Sequence, residues 1–158
     1  MINKTNIFIK SMKIRVFILL FMVLSISFFS CKKESGVNSK PVIKFLKINA
    51  TNIQQFKDSI TIDIEYTDEN GDLGEDNPDK NALYVKDRRL SKADFYFVKP
   101  LSPPGSNVKI KGILSIKIKN AFLLGTANKE ETTFEIKLSD RAGNWSNAIV
   151  SPEITINK

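Results

Sequence analysis

The stretch DSITIDIEYT, residues 58–67, decides the fold because its apolar side chains recur at every second position. The apolar positions are Ile60, Ile62, Ile64 and Tyr66. Threonine, aspartate and glutamate stand between them, so a β-strand here presents one apolar and one polar face. A helix would scatter these four side chains around its axis. The pattern predicts a central strand with Ile62 buried, and the same alternation buries Ile136 in a later strand.

Six other segments also have the composition or alternation of strands, with turn-forming residues between them. They are residues 42–48, 83–87, 94–98, 113–119, 132–139 and 149–156. Alternation places Phe95 and Phe97 in the core and turns Tyr96 outward. Pro152 interrupts the last segment, and a proline inside a strand indicates an edge or a bulge. No segment has convincing helical periodicity, so we expect an all-β fold, a single antiparallel β-sandwich of about seven strands in residues 41–158.

The first thirty residues have the pattern of a secretion signal. Four basic residues precede an apolar run of 14 residues, 16–29, and the thirty contain no acidic residue. This run fits a secretory signal, whereas a membrane-spanning helix needs about 20 apolar residues. Ser30 and Cys31 follow, and a small residue before a cysteine resembles the lipobox of bacterial lipoproteins. We expect a signal peptide at residues 1–30 and a lipid on Cys31. An uncleaved N-terminal anchor is the alternative.

A polar segment, CKKESGVNSK, separates the expected anchor from the first strand. It occupies residues 31–40 and has no apolar periodicity, while its glycine, serines and asparagine favour a flexible chain. Such a coil spans roughly 15 to 20 Å. We therefore expect residues 31–40 to form a tether between the membrane and the folded domain.

Composition excludes several classes of function. Four of the 24 basic residues lie in the signal, which leaves 20 basic against 17 acidic residues and a net charge of +3. The remaining bases do not interleave with aromatic residues, which argues against nucleic-acid binding. The chain has no histidine, and its one cysteine is the expected lipidation site. Zinc centres and Ser-His-Asp or Cys-His catalysis are thereby excluded. We expect neither an enzyme nor a nucleic-acid partner.

The stretch DENGDLGEDNPD, residues 68–79, concentrates negative charge. Eight of the 17 acidic residues and no basic residue lie between Asp63 and Asp79. Like charges at this density repel one another unless a cation or water screens them. Oxygen-bearing side chains with spacing similar to a calcium loop are Asp68, Asn70, Asp72, Asp76 and Asp79. Leu73 stands where an EF-hand has glycine, so the alternatives are a different Ca²⁺ loop or a solvated acidic turn.

The segment SDRAGNWSN, residues 139–147, contains the only tryptophan. Gly143 tolerates a positive φ, and Asp140 can accept hydrogen bonds from backbone amides of the turn. Trp145 has two interpretations. It either caps the end of the core or, with Tyr96, contacts a ligand such as a sugar.

The order of these motifs resembles a group of bacterial envelope proteins. DENGDLG, then LYVKD, a proline, a glycine-anchored strand and DRAGNWSN resemble small Bacteroidota-type outer-membrane lipoproteins with a DGDGDLG-like loop. The last turn is similar to turns of immunoglobulin-like and fibronectin type III-like modules. The likeness covers about residues 41–157. It implies an immunoglobulin-like fold and a lipid-anchored outer-membrane location, on the periplasmic or the cell-surface side.

Two functions follow as hypotheses. The first is a structural or assembly role in which the domain docks another envelope protein through an edge strand or a loop end. The second is a glycan- or small-ligand-binding role with a Ca²⁺-stabilised loop. A flat apolar patch beside an unpaired edge would favour the protein partner, and an exposed aromatic pair near a loop end would favour the glycan.

Overall fold

The computed structural model describes residues 40–103 and 105–158, in which it has ten β-strands and no helix. The strands are β1 (Val42–Ile48), β2 (Asn52–Gln54), β3 (Ile60–Asp68), β4 (Leu83–Asp87), β5 (Asp94–Tyr96), β6 (Ile110–Ile118), β7 (Lys129–Thr132), β8 (Phe134–Leu138), β9 (Ile149–Val150) and β10 (Ile154–Asn157). The prediction of an all-β, sandwich-like fold is confirmed. In these residues no helix is long and apolar enough to cross a membrane. The predicted signal peptide and Cys31 lie outside the described residues.

Sheet 1 has the order β1-β3-β6, and the predicted central strand is its middle member. β3 is antiparallel to both neighbours, with Ile62 opposite Ile48 on one side and Ile116 on the other. Its burial alternates along the whole strand, and Ile60, Ile62 and Ile64 are fully buried. The inner face predicted from the sequence is therefore confirmed.

Sheet 2 has the order β5-β4-β8-β9, and its inner face meets that of sheet 1 in one apolar cluster. The largest fully buried apolar side chains are Ile43, Ile53, Ile60, Ile62, Ile64, Leu73, Ile136, Leu138, Ile154 and Ile156. Full burial of a side chain of this size contributes about 1.5 to 3 kcal/mol. Ile136 lies in β8, so its predicted burial is confirmed.

Sheet 3 has the order β2-β10-β7, and its strands help to explain why the structure has more strands than the sequence predicted. The strand predicted at residues 132–139 corresponds to β8, and only its first residue, Thr132, belongs to β7, which was otherwise not predicted and lies in a different sheet. The strand predicted at 149–156 divides around Pro152 into β9 and β10. Pro152 has no N–H for a ladder, and beside it the Ser151 hydroxyl accepts the backbone N–H of Phe134 at 2.9 Å. β2 was not predicted, and it pairs with β10 in parallel. Ten strands replace the expected seven, and one pair is not antiparallel.

The predicted orientation of β5 is wrong. Phe95 lies opposite Tyr84, whose side chain is on the outer face of sheet 2, and Tyr96 lies opposite the buried Leu83. Phe95 is accordingly 51% exposed rather than part of the core. Tyr96 is on the inner side but remains 46% exposed because β5 is an edge strand. Since β5 is only three residues long, its alternation is too short to define a face.

One long side of the sandwich is closed and the other is open. On the closed side, Asn147 before β9 binds β1: its Nδ2 donates to the Ile43 carbonyl and its Oδ1 accepts the Ile43 N–H, both at 2.9 Å. On the open side, β6 and β5 have no further strand partner among the described residues. β6 has nine residues and β5 has three, so Leu114 and Ile118 on the inner face of β6 stay half-buried.

The sandwich also has two distinct ends. The chain enters beside Thr67, which pairs with Val42 at the start of β1. The acidic loop, residues 69–79, and the turn at residues 140–144 lie at this end, which we call the entry end. The opposite end, which we call the far end, contains the β4–β5 turn and the loop at residues 119–128.

Candidate functional site

The first part of the acidic loop, residues 69–74, folds back onto the C-terminal turn, whereas residues 76–79 are exposed. Gly71 and Gly74 have φ of +68° and +84°, and a side chain on either would overlap a backbone carbonyl of the neighbouring segment. Leu73 between them is fully buried and forms an isolated bridge with Asp140. The Arg141 N–H donates to the Asp72 carbonyl at 3.0 Å. Leu73 therefore anchors the loop to the core at the position where an EF-hand would need glycine.

Two of the five predicted calcium ligands meet a carboxylate that the sequence pattern did not include. Asp68 and Asp140 are each 1% exposed, and both act electrostatically on the half-buried Asp72. Asp76 and Asp79 are exposed, and Asp76 lies 3.7 Å from Nε of Arg141. The carboxylate cluster is therefore Asp68, Asp72 and Asp140. Among the described residues, no group of three or more His, Cys, Asp or Glu side chains is placed to hold a metal ion.

Two oxygens of this cluster, Oδ1 of Asp68 and Oδ1 of Asp72, are buried without a hydrogen-bond partner, and so is Nη1 of the neighbouring Arg141. The second oxygen of Asp68 accepts the Asp72 N–H at 2.8 Å. Burial raises the pKa of Asp72, the negative charges of Asp140 and Asp68 raise it further, and Arg141 acts in the opposite direction. The cluster thus concentrates negative charge that its hydrogen bonds do not satisfy.

Asp140 also organises the turn that follows it. Its Oδ1 accepts the Asn144 N–H at 2.7 Å, and its Oδ2 accepts Nδ2 of the same residue at 2.9 Å. Gly143 has φ of +85°, as predicted for this turn. Ser146 then binds β8 through its hydroxyl, which accepts the Leu138 N–H at 3.0 Å. These hydrogen bonds hold the turn together, and Asp140 within it bridges to Leu73 of the acidic loop.

The predicted ligand residues Trp145 and Tyr96 are not brought together. Trp145 is 38% exposed and lies on the outer face of sheet 2, where it forms an aromatic cluster with Tyr84 and Phe95. The ring centroids are 5.5 to 6.4 Å apart, and the planes meet at 70 to 79°. Nζ of Lys137 lies 4.7 Å from the centre of the Tyr84 ring. Tyr96 lies on the inner side, away from this cluster.

Tyr96 instead lines a cleft on the open side of the sandwich. Two adjoining cavities of about 370 and 620 Å³ share Tyr96, Lys117 and Ile118. Apolar side chains that line one or the other are Leu83, Val85, Leu90, Phe97, Val98, Leu101, Leu114, Ile116, Phe122 and Phe134. We call this region the open-side cleft. Its combined lining is mostly apolar and follows the inner face of β6.

The lysines at the rim of the open-side cleft lack the ion pairs that Lys47 and Lys111 form. Lys99, Lys117 and Lys119 are exposed and have no ion-pair partner among the described residues. By comparison, Nζ of Lys111 lies 2.9 Å from Glu65, and Lys47 lies 3.4 Å from Asp63. Lys99, Lys117 and Lys119 therefore leave unpaired positive charge around the cleft.

An ion-pair network frames the far end of the cleft. Arg89 binds Asp87 through Nε and Nη2, with a shortest distance of 2.6 Å, and its Nη1 lies 2.6 Å from Glu130. Its Nη2 also donates to the Phe122 carbonyl at 3.0 Å. Glu130 accepts the N–H of Gly125 at 2.8 Å. The network ties the β4–β5 turn to β7 and to the loop that carries Phe122 into the cleft.

Phe56 extends the apolar surface at the far end. It is 71% exposed, and its ring stacks on Phe122 with centroids 6.0 Å apart and planes 5° apart. Its φ of 59° is uncommon for a bulky residue. Phe122 and Leu90 belong both to this surface and to the cleft lining. The cleft therefore opens onto an exposed apolar patch.

These features define the class to which the chain belongs: an all-β sandwich with an apolar cleft on one open side and a buried carboxylate cluster at one end. No protein-family model, curated protein or solved structure matches the chain.

Sequence reasoning missed the cleft and the role of Asp140 in the carboxylate cluster. The cleft exists because β5 is shorter than β6, which is a property of strand pairing rather than of either segment. Asp140 reaches Asp72 because the chain returns to the same end of the sandwich after 68 residues. The available signal was the turn sequence DRAGN, residues 140–144, which predicted the turn but not the approach of Asp140 to Asp72.

Proposed function

We propose that the chain is a lipid-anchored, non-catalytic outer-membrane protein whose domain binds an extended segment of another envelope protein along the open-side cleft. The observation that carries this proposal is the free edge of β6, nine residues long, beside an apolar cleft with unpaired lysines at its rim. The anchor is Cys31, on the sequence evidence given above.

The free edge supports binding by strand addition. β6 pairs with β3 on one side only, so half of its backbone N–H and C=O groups face the cleft without a strand partner in the described part of the chain. An extended segment can pair with these groups and insert every second side chain over Leu114 and Ile118. β5 would lie on the other side of that segment. The geometry fits a strand better than a helix, because both walls of the cleft are sheet edges.

The rim lysines define the charge of the partner segment. Lys117 and Lys119 lie at the end of β6, and Lys99 lies across the cleft. A segment that alternates apolar and acidic residues would insert the first kind and pair the second with these lysines. Two copies of the chain would repel each other along this edge, because like charges oppose its self-pairing. The occupant we propose is therefore an acidic and apolar strand of a different protein.

A glycan is the second candidate, supported by the exposed faces of Phe95 and Trp145. Their rings meet at 70°, so they offer two separate surfaces rather than one flat platform. Binding of a sugar there would leave the open-side cleft unused.

The test places a photo-cross-linking residue at Lys117 in the full-length protein in cells, with Lys44 on the outer face of sheet 1 as the matched control. The proposal predicts a discrete cross-linked protein at position 117 that is lost when Lys99 and Lys119 are changed to glutamate. Equal products at both positions, or products that survive the charge reversal, would overturn it.

A peptide probe measures the charge preference directly. A labelled peptide of nine residues that alternates valine and glutamate should bind the purified full-length protein in detergent, with affinity that falls as salt rises. A valine and lysine peptide of the same length is the control and should bind more weakly. Equal binding of the two peptides would remove the role assigned to the rim lysines, and binding of soluble glycans alone would favour the second candidate.

A further inference from the structure

One wall of the open-side cleft includes a segment that belongs to no strand. This segment is residues 97–101, which follow β5 and which we call the wall segment. The residues of it that line the cleft, across from β6, are Phe97, Val98, Lys99 and Leu101. Since an irregular segment has no strand ladder, other contacts must satisfy its backbone and set its position. The shape of the cleft therefore depends on what holds the wall segment.

The acidic loop provides the contacts that hold the wall segment. The Glu75 N–H donates to the Val98 carbonyl at 2.8 Å. The Leu101 N–H donates to the carbonyl of the fully buried Leu73 at 3.0 Å. Within the described part of the chain, the wall segment makes no other backbone hydrogen bond. The acidic loop thus fixes the wall segment near both of its ends.

Two glycines allow the acidic loop to approach this closely. Gly74 has φ of +84°, and a side chain there would overlap the Lys99 carbonyl of the wall segment. Gly71 lies in the same way against the Val108 carbonyl, and its own carbonyl accepts a hydrogen bond from the buried Ser102 hydroxyl. Glycine alone combines a positive φ at low cost with such a close backbone approach. The two glycines therefore let the acidic loop lie directly against the connection that builds the cleft.

We propose that residues 71–75 are positioning residues for the open-side cleft, because they hold the wall segment at the distance from β6 that a bound strand requires. This role rests on the proposed function, since that strand is the ligand whose affinity they set. A wall that is in place only part of the time lowers the apparent affinity by the fraction of time in place. The coupling is reciprocal, so a bound strand also stabilises the acidic loop.

The test uses the full-length protein in detergent, with the labelled valine and glutamate peptide as the probe. Ser102→Ala removes the hydroxyl that ties the end of the wall segment to the loop, and Ser146→Ala is the matched control. Ser146 is also buried, its hydroxyl accepts the Leu138 N–H at 3.0 Å, and neither residue lines the cleft. We expect peptide binding to weaken about three- to tenfold in Ser102→Ala and less than about twofold in Ser146→Ala, although each variant loses one buried hydrogen bond.

A second pair of variants moves the wall segment directly. In Gly74→Ala the new methyl group meets the Lys99 carbonyl, whereas Gly143 also has a positive φ but no atom within 4 Å of the place of a side chain. Peptide binding should weaken at least about tenfold in Gly74→Ala and less than about twofold in Gly143→Ala, because only the first change displaces the wall.

Amide hydrogen exchange provides a readout that a general loss of stability does not produce. Peptide binding to the wild type should slow exchange of the Glu75 N–H several-fold, although Glu75 does not line the cleft. Exchange of the Leu101 N–H should be faster in Ser102→Ala than in Ser146→Ala, while exchange in β3 stays the same in both.

Two results would overturn this role and leave the proposed function intact. They are equal peptide affinities of Ser102→Ala and Ser146→Ala, and peptide binding that leaves the Glu75 N–H unaffected. The second result needs no variant to fold. A wild-type protein that binds no peptide would instead overturn the proposed function, and this role with it.

Discussion

Arg89 offers the sharpest test of how the far end is held together. Its guanidinium lies against two carboxylates, at 2.6 Å from both Asp87 and Glu130, and it also binds the Phe122 carbonyl. The side chains of Arg89 and Asp87 are only 15% and 11% exposed. Arg89→Met keeps an unbranched side chain but removes every one of these contacts, so two carboxylates lose their counter-charge.

The expected loss of stability lies between the values for exposed and buried ion pairs. An exposed pair contributes about 0 to 1 kcal/mol, whereas removal of one partner from a buried pair costs about 3 to 5 kcal/mol. The two-point contact of Arg89 with Asp87 is mostly but not fully buried, so we expect a loss of about 2 to 3 kcal/mol. For a domain of this size, the melting temperature should fall by roughly 8 to 12 °C.

The lowered pKa values of the carboxyl groups bound by Arg89 determine how the loss of stability in Arg89→Met should change with pH. Burial raises the pKa of Asp87, but hydrogen bonds from Arg89 and Thr132 outweigh it, and the pKa lies below its ordinary value. Backbone hydrogen bonds from the Leu124 segment, with the pair to Arg89, also lower the pKa of Glu130. Groups with a lowered pKa stabilise the fold above their unfolded pKa, about 4, and lose that contribution as pH falls through the folded pKa. The difference between wild type and Arg89→Met should therefore be largest at neutral pH and shrink in acid.

Chemical denaturation of both proteins from pH 7 down to pH 3 measures this difference. Arg88 is the matched control, because it is the adjacent arginine and is exposed, so Arg88→Met should change stability by less than about 0.5 kcal/mol. A loss below about 1 kcal/mol in Arg89→Met, or a loss that is the same at both ends of the pH range, would refute the role assigned to the network.

Three further predictions concern the core, the acidic loop and the anchor. Ile62→Ala should destabilise by about 2 to 5 kcal/mol, while Ile113→Ala, at a site 61% exposed on the outer face, should cost less than about 0.5 kcal/mol; equal losses would mean that the strand faces are reversed. Gly74→Ala should destabilise more than Gly143→Ala, because both have positive φ but only the first would overlap a backbone carbonyl, and denaturation midpoints compare the two. Cys31→Ser should abolish lipidation and normal processing, and mass spectrometry that finds an unmodified Cys31 in an intact wild-type N-terminus would contradict the anchor.

The period-two pattern predicted the two strands that build the core. Ile62 and Ile136 lie in segments where apolar and polar residues alternate over four or more positions, and burial follows that alternation. The same reasoning failed where the segment was short. Phe95 and Tyr96 belong to a three-residue strand, whose orientation depends on pairing with β4 and not on its own sequence. The alternation of apolar and polar residues therefore predicts the buried face of a strand only where the strand is long enough to contain several alternating positions.

Strand boundaries depended on interactions that local pattern does not contain. Residues 132–139 read as one strand, but the chain changes sheet at Thr133, because β7 pairs with β10 and β8 pairs with β4. The Arg88 N–H donates to the Thr133 carbonyl at 3.0 Å, at the point where the chain bends. Pro152 did mark the second break, since its missing N–H is a property of the residue itself. Breaks caused by the residue were predictable, and breaks caused by a distant partner were not.

In the candidate sites, too, features set by local sequence were predictable and features set by distant contacts were not. The spacing of Asp68 and Asp72 was visible in the sequence, and these two carboxylates do meet. Asp140 joins them only because Leu73 bridges to it across the end of the sandwich. The open-side cleft has no sequence motif, since it arises where one edge strand is shorter than the one it faces.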